Sequence, residues 1–335
     1  MRPAFRPRPP HRHDADQDHD NALAPIGSDP HEAVWLTPAP PSAANAIPPE
    51  VIPPEVIAVD LTSAVEHHAA CALAASAARS GAAFSPIATR TSYTSGAPGA
   101  YNVTLQFKGS WTVALQDIFI AAANRISATI IGDIKNVKIG ALQVDDIVIN
   151  AELKPIDGPG GTLGQAGPTA IRTASALPAT ALMRFDSADA ASFHAQGLFD
   201  EIVTHEMLHA IGVGSIWADK ALLSSAGFIG PNAMAEYAKL IDAYAASHNG
   251  STTLPNGTRL TKGAAPVETE GGAGNARVHW SEAIFDSELM TGWLDAAKPG
   301  NTMVADPMSA LTTASLKDLG YVVATRPPID LFYLG

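Results

Sequence analysis

The residues in this sequence best suited to chemistry are His205, Glu206 and His209, within Thr204-His205-Glu206-Met207-Leu208-His209-Ala210-Ile211-Gly212. On a helix, side chains at i and i+4 stand one above the other, so the two histidines share a face. Two imidazoles placed this way can bind one Zn²⁺ ion. Glu206 is offset by about 100° around the axis, where its carboxylate reaches a water on the metal rather than the metal itself. Hydrolysis by a metal-activated water, with a glutamate carrying the proton, is the chemistry this pattern suits. The bland alternative is a chance HExxH on a solvated helix.

A helix is needed to hold these groups, and the flanking residues support one. Apolar side chains fall at 198, 199, 202 and 203, then at 207, 208 and 211, a helical rhythm that runs on from Ala195. Gly212 follows the second histidine, where a left-handed residue would end the helix and turn the chain away. A catalytic zinc site uses three protein ligands and one water, so a third ligand is required. In the extended metzincin signature a glycine follows the second histidine by three residues and a third histidine follows it by six. Gly212 meets the first requirement, but Ser215 occupies the second position. His248, His279, Glu236, Glu268 and Glu270 are the remaining candidates, and spacing alone does not choose among them.

Upstream, Tyr101–Phe107 alternates like a strand, and Trp111–Ile131 carries a helical apolar period through Val113, Leu115, Ile118, Phe119, Ala122 and Ile126. Ile147-Val148-Ile149, within Leu142–Leu153, suits a second strand, and Ala181–Phe185 a third, followed by a polar loop into the metal helix. Gly158–Gly167, with five glycines, reads as a loop, and a structural Ca²⁺ there is a weak second metal candidate. This order predicts an α/β or α+β catalytic half, a twisted sheet resting on two helices. After Gly212, helices are expected over Asn232–Ser247 and from Ser309 to Leu319, with loop-like sequence between. His194 and His248 read as ordinary surface or core histidines.

The N-terminal part differs in character. Thirteen of the 26 prolines fall in residues 1–60, with a His/Asp-rich run from His11 to Asp20 and a tandem Ile-Pro-Pro-Glu-Val repeat. Such a stretch buries too little apolar surface to offset ordering, and a disordered arm is expected, with adventitious chelation by His11, His13 and His19. Leu61–Arg79 reads as an Ala-rich helix containing Cys71, either a small buried hydrophobe or a thiolate that closes the zinc's open position in a latent precursor. The formal charge of −12 disfavours nucleic acid and anionic membrane as partners, and one cysteine excludes an internal disulfide framework. No run is long and apolar enough for a membrane span, and the start does not read as a signal peptide, so secretion would need a non-classical route.

His205-Glu206-Met207-Leu208-His209-Ala210-Ile211-Gly212, a long insertion, His279-Trp280 and Glu288-Leu289-Met290-Thr291 together resemble the leishmanolysin family of metzincin proteases. Asp145-Asp146-Ile147-Val148-Ile149, Gly164-Gln165-Ala166-Gly167-Pro168 and Ala314–Tyr321 are weaker points of similarity, and the likeness covers roughly residues 95–325. Eukaryotic members are rich in disulfides, so this chain looks more like a bacterial-type relative. The resemblance implies an α+β, metzincin-like zinc protease with a mostly irregular or helical C-terminal subdomain. Composition and resemblance together divide the chain into an arm (1–60), a helical linker or pro-segment (61–95), an N-terminal catalytic subdomain (96–212) and a C-terminal subdomain (213–335), and the arm has no motif of the family. The resemblance further implies zinc on His205, His209 and His279, Glu206 as general acid/base, and Met290 as the apolar floor beneath the metal. A monomeric endopeptidase acting on protein or peptide substrates is the expected function. A non-catalytic zinc-stabilised adhesion or interaction protein, and a zinc hydrolase of non-peptide substrates, are the competing readings.

Overall fold

Strands form where β-branched and apolar residues alternate, and helices where the period lengthens to 3.6. The computed structural model describes residues 56–58 and 65–67 as backbone, and residues 89–159, 163–272, 274–293 and 306–334 in full. In chain order the first half contains β1 (Val56–Ala58), β2 (Val65–His67), β3 (Ser92–Thr94), β4 (Val103–Gly109), α1 (Val113–Thr129), β5 (Val137–Ile139) and β6 (Leu142–Val144). It continues with β7 (Ile147–Lys154), β8 (Gly164–Arg172), β9 (Pro178–Asp186), α2 (Ser187–Gln196) and α3 (Phe199–Ala210). The second half has the hairpin of β10 (Leu223–Ser224) and β11 (Gly227–Phe228), then α4 (Pro231–Ser247), α5 (Glu282–Phe285) and α6 (Ala310–Leu319). All described residues belong to one contact unit, Val51–Ala72 with Ser80–Gly335.

The seven-stranded sheet runs β1-β8-β9-β7-β4-β3, with β2 also on β8. β4, β7 and β9 are mutually parallel; β8 runs antiparallel to β9 and β3 to β4. Alternation decides the two faces. Ile147, Ile149, Ala151 and Leu153 of β7 join Leu105, Met183 and Phe185 in the main core against α1 and α3. Val148 points to the other face, where Val137 and Val144 of the β5–β6 hairpin cover it with Ala170 and Ala179. Phe119 of α1 is fully buried and meets Trp111, Phe185 and Phe199 with ring centroids at 4.9, 5.4 and 6.3 Å, tying α1 to the sheet and to α3.

The α+β expectation holds at the level of a mixed sheet packed with helices. Several details differ. The Gly158–Gly167 loop ends earlier than expected, because Gly164 already lies in β8, where a Cβ would press on the Phe185 ring at 3.0 Å. Pro168 sits inside that strand beside a register shift between Pro168 and Ala170, which accommodates its missing N–H. The polar loop expected before the metal helix is α2, N-capped by Asp186 and closed by Gly197 at φ 73°. The apolar rhythm from Ala195 therefore spans two helices. Within Leu61–Arg79 the described residues form strand β2, and Val56–Ala58 of the arm forms β1; both pair with the outer edge of β8. Unpaired backbone groups on a sheet edge recruit strands strongly enough to override a weak Ala-based helix preference. The His11–Asp20 tract, Cys71 with its latency role, and residues 160–162 of the loop read as a Ca²⁺ candidate lie outside the described residues.

Candidate metal centre

α3 is buried along Ile202–Ala210, between the sheet and the second half of the chain, so that Thr204, His205, Glu206 and His209 are enclosed together with its apolar residues. Asp200 and Glu201 in its first turn favour the positive end of the helix dipole. His205 and His209 project from it as the i, i+4 spacing requires, with rings 4.6 Å apart. His279 arrives from the loop region before α5 and stacks over His205 at 5.3 Å.

Each imidazole uses Nδ1 on a backbone carbonyl: His205 on Leu289 at 2.6 Å, His209 on Val213 at 2.8 Å and His279 on Asn275 at 3.0 Å. A carbonyl can only accept, so each Nδ1 carries the hydrogen and each Nε2 presents a lone pair. The three Nε2 atoms converge at separations of 2.9, 3.0 and 3.3 Å. Nitrogens held about 2.05 Å from a tetrahedral ion stand about 3.3 Å apart. Three lone pairs facing one another at this distance repel unless a cation lies among them, so the donor set fits zinc. Burial holds the rings neutral: it lowers His205 from its ordinary 6.5 to about 4 and His279 to about 3, and with the two neighbouring rings it holds His209 well below the ordinary value. Glu206 is 2% exposed beside His205, and burial raises its carboxyl well above the usual 4.5.

The third histidine reaches the pair through two glycines. Gly212 adopts φ 112° and lets the chain fold back, so that Val213 donates to the Leu208 carbonyl and accepts from His209. Gly214 has φ 74°, and a Cβ there would overlap the Val278 carbonyl oxygen and press on the His209 ring. Ser215, where the short signature has its third histidine, donates instead to the His209 carbonyl at 2.7 Å. Beyond His279, the Trp280 ring packs against Trp217 at 4.6 Å and Phe228 at 5.4 Å, while the Trp280 backbone N–H donates to the Met290 carbonyl at 2.9 Å. Met290 is fully buried in a turn closed by Thr291 N–H on the Glu288 carbonyl at 3.0 Å. Leu289 of the same turn accepts from His205.

The other ligand candidates stand elsewhere. His248 caps α4 and stacks on Tyr244 at 3.9 Å; Glu236 pairs with Lys239 at 2.7 Å; Glu270 is exposed, as is His194. Glu268 is buried, but its carboxylate accepts from the N–H groups of Thr269, Glu270 and Glu282 and shapes the loop leading to His279. Sequence reasoning missed Gly214, and it saw Glu288 only as part of a resemblance; a glutamate two residues before a buried methionine was the available signal. One more carboxylate group, Asp133, Asp145 and Asp146, comes close together among the described residues. Asp146 accepts there from Asn102 N–H and Ile134 N–H, a structural use, and burial lifts its carboxyl to about 6.

No curated protein matches the chain. Residues 106–326, which contain the histidine triad, Glu206 and the 288–291 turn, match the family model described as leishmanolysin, a family of zinc metallopeptidases. The chain therefore belongs to the leishmanolysin family.

Proposed function

We propose that the protein is a zinc-dependent endopeptidase of peptide or protein substrates. The observation that carries this reading is the convergence of three buried Nε2 atoms within 3.3 Å on a leishmanolysin-family chain. His205, His209 and His279 would hold the metal, which when bound lowers the pKa of a water and polarises the scissile carbonyl. Glu206 takes the proton from the attacking water and passes it to the leaving amine. Met290 packs in the turn that orients His205 and serves as the apolar floor of the site. Residues 96–212 and 213–335 act as the two subdomains that bring two ligands and one ligand to the centre. The family match supports hydrolytic chemistry and gives adhesion no support.

Glu206→Gln should retain one equivalent of zinc and lose about 10²–10⁴-fold of casein-cleaving activity, the range for removing a general base. Wild-type turnover in that variant would refute the role of Glu206. Activity abolished by a chelator and restored by zinc would support the metal's part, and chelator-resistant cleavage would refute it.

A further inference from the structure

Glu288 is a fully buried carboxylate with four hydrogen-bond donors. Its Oε1 accepts from Ser309 Oγ at 2.6 Å, Ser309 N–H at 3.1 Å and Thr312 Oγ1 at 2.6 Å; its Oε2 accepts from Met290 N–H at 2.6 Å. An ionised carboxylate is acceptor-only, and this donor set is what it requires. A glutamine amide would turn an N–H₂ toward one of these donors. The partners are not scattered. Ser309 is the N-cap of α6, its oxygen receiving Leu311 N–H and Thr312 N–H while its hydroxyl hydrogen goes to Glu288. Thr312 Oγ1 receives Trp280 Nε1–H at 2.8 Å and passes its own hydrogen to Glu288. The hydrogen bonds thus run in one direction, indole to hydroxyl to carboxylate, an arrangement in which each bond polarises the next.

We propose that Glu288 is a positioning residue for the metal centre, fixing both the Leu289 carbonyl that orients His205 and the Trp280 segment that holds His279. The inference rests on the reading that the three histidines bind a metal. One link runs through the turn: Oε2 fixes Met290 N–H, and Leu289 lies between the two ends of that clamp, its carbonyl on His205 Nδ1. A second runs through Thr312 to the Trp280 indole, and a third through the Trp280 N–H on the Met290 carbonyl. The ring orientation of His205 and the chain position of His279 therefore both depend on one carboxylate that touches neither. The third, His209, is oriented within its own helix terminus by Val213.

The test is zinc affinity of folded protein, measured by chelator competition, together with the visible absorption of the cobalt-substituted full chain. Glu288→Gln should bind zinc about 10–100-fold more weakly, as partners behind a metal ligand typically do, and should show altered cobalt bands. Thr312→Val, which breaks only the indole arm, should weaken binding less and also perturb the bands. It carries the test alone if Glu288→Gln fails to fold. A carboxylate that merely stabilises the fold would lower the melting temperature while leaving affinity within twofold and the cobalt spectrum unchanged; that result in a folded variant overturns the proposal. Wild-type protein that binds zinc but cleaves no peptide refutes the peptidase reading and leaves this inference standing, whereas wild-type protein that takes up no zinc ends both.

Discussion

A neutral imidazole trio in a water-poor interior ties stability to pH. The unfolded chain protonates these rings near 6.5, whereas burial keeps His205 neutral down to about 4 and His279 down to about 3. Between those values the unfolded state binds more protons, so the free energy of unfolding rises with pH and stability is lost as pH falls. Metal-free protein should therefore weaken progressively from pH 6.5 toward 4 in urea titrations, and His279→Gln should flatten that dependence. A pH-independent midpoint would contradict the burial argument. Gly214 supplies a second test: Gly214→Ala meets the Val278 carbonyl at a positive φ and should displace His279, cutting zinc content well below one equivalent. Full occupancy in that variant would show that the approach is not needed. At this scale the His205/His209 pair was legible because helical spacing is local. His279 was not, since 69 residues separate it from His209 and only a family likeness pointed to it. Gly214 was invisible because its necessity arises from a carbonyl distant in sequence.

Periodicity served well where one environment governs a whole segment. α1, β4, β7, β9, α4 and α6 lie where the apolar patterns of those segments place them. It failed where two environments adjoin. The rhythm from 195 to 211 continues across a helix break because α2 buries one side, and α3 nearly its whole surface, against the same core, and only Gly197 marks the boundary. β8 was hidden by its glycines and proline, which mark close packing on Phe185 and a bulge rather than a loop. The β1 and β2 pairings depend on an edge that exists only after the sheet has formed. The contact most exposed to test is the aromatic junction at Phe119. Truncation to alanine should cost roughly 3–5 kcal/mol, since a large buried ring is lost and its neighbours cannot close the cavity. Denaturant unfolding would report it, and a loss under 1 kcal/mol would mean that α1 packs far more loosely than its ring contacts indicate.

Across the whole chain, the α+β class was readable because apolar periods of two and near four alternate through residues 101–211, whereas strand order was not. The reversal of β8 among parallel neighbours depends on which edge each connection can reach, which local pattern does not encode. The acidic charge and missing cysteine partners were legible as exclusions. With those exclusions, the described fold rests on burial, and α3 meets the 279 loop at the three histidines.

That junction has a mechanical consequence. An ion gripped at 205, 209 and 279 would stitch the ends of a 69-residue loop together, as a cystine does in secreted domains. By the same chain-entropy reasoning, such a stitch is worth about 4 kcal/mol against unfolding. Stripping zinc should then lower the melting temperature by about 10 °C and open the 210–278 excursion to nicking by an added protease, much as reducing agents loosen cross-bridged proteins. In a chain with a single thiol, chelators would take the part that reductants play elsewhere.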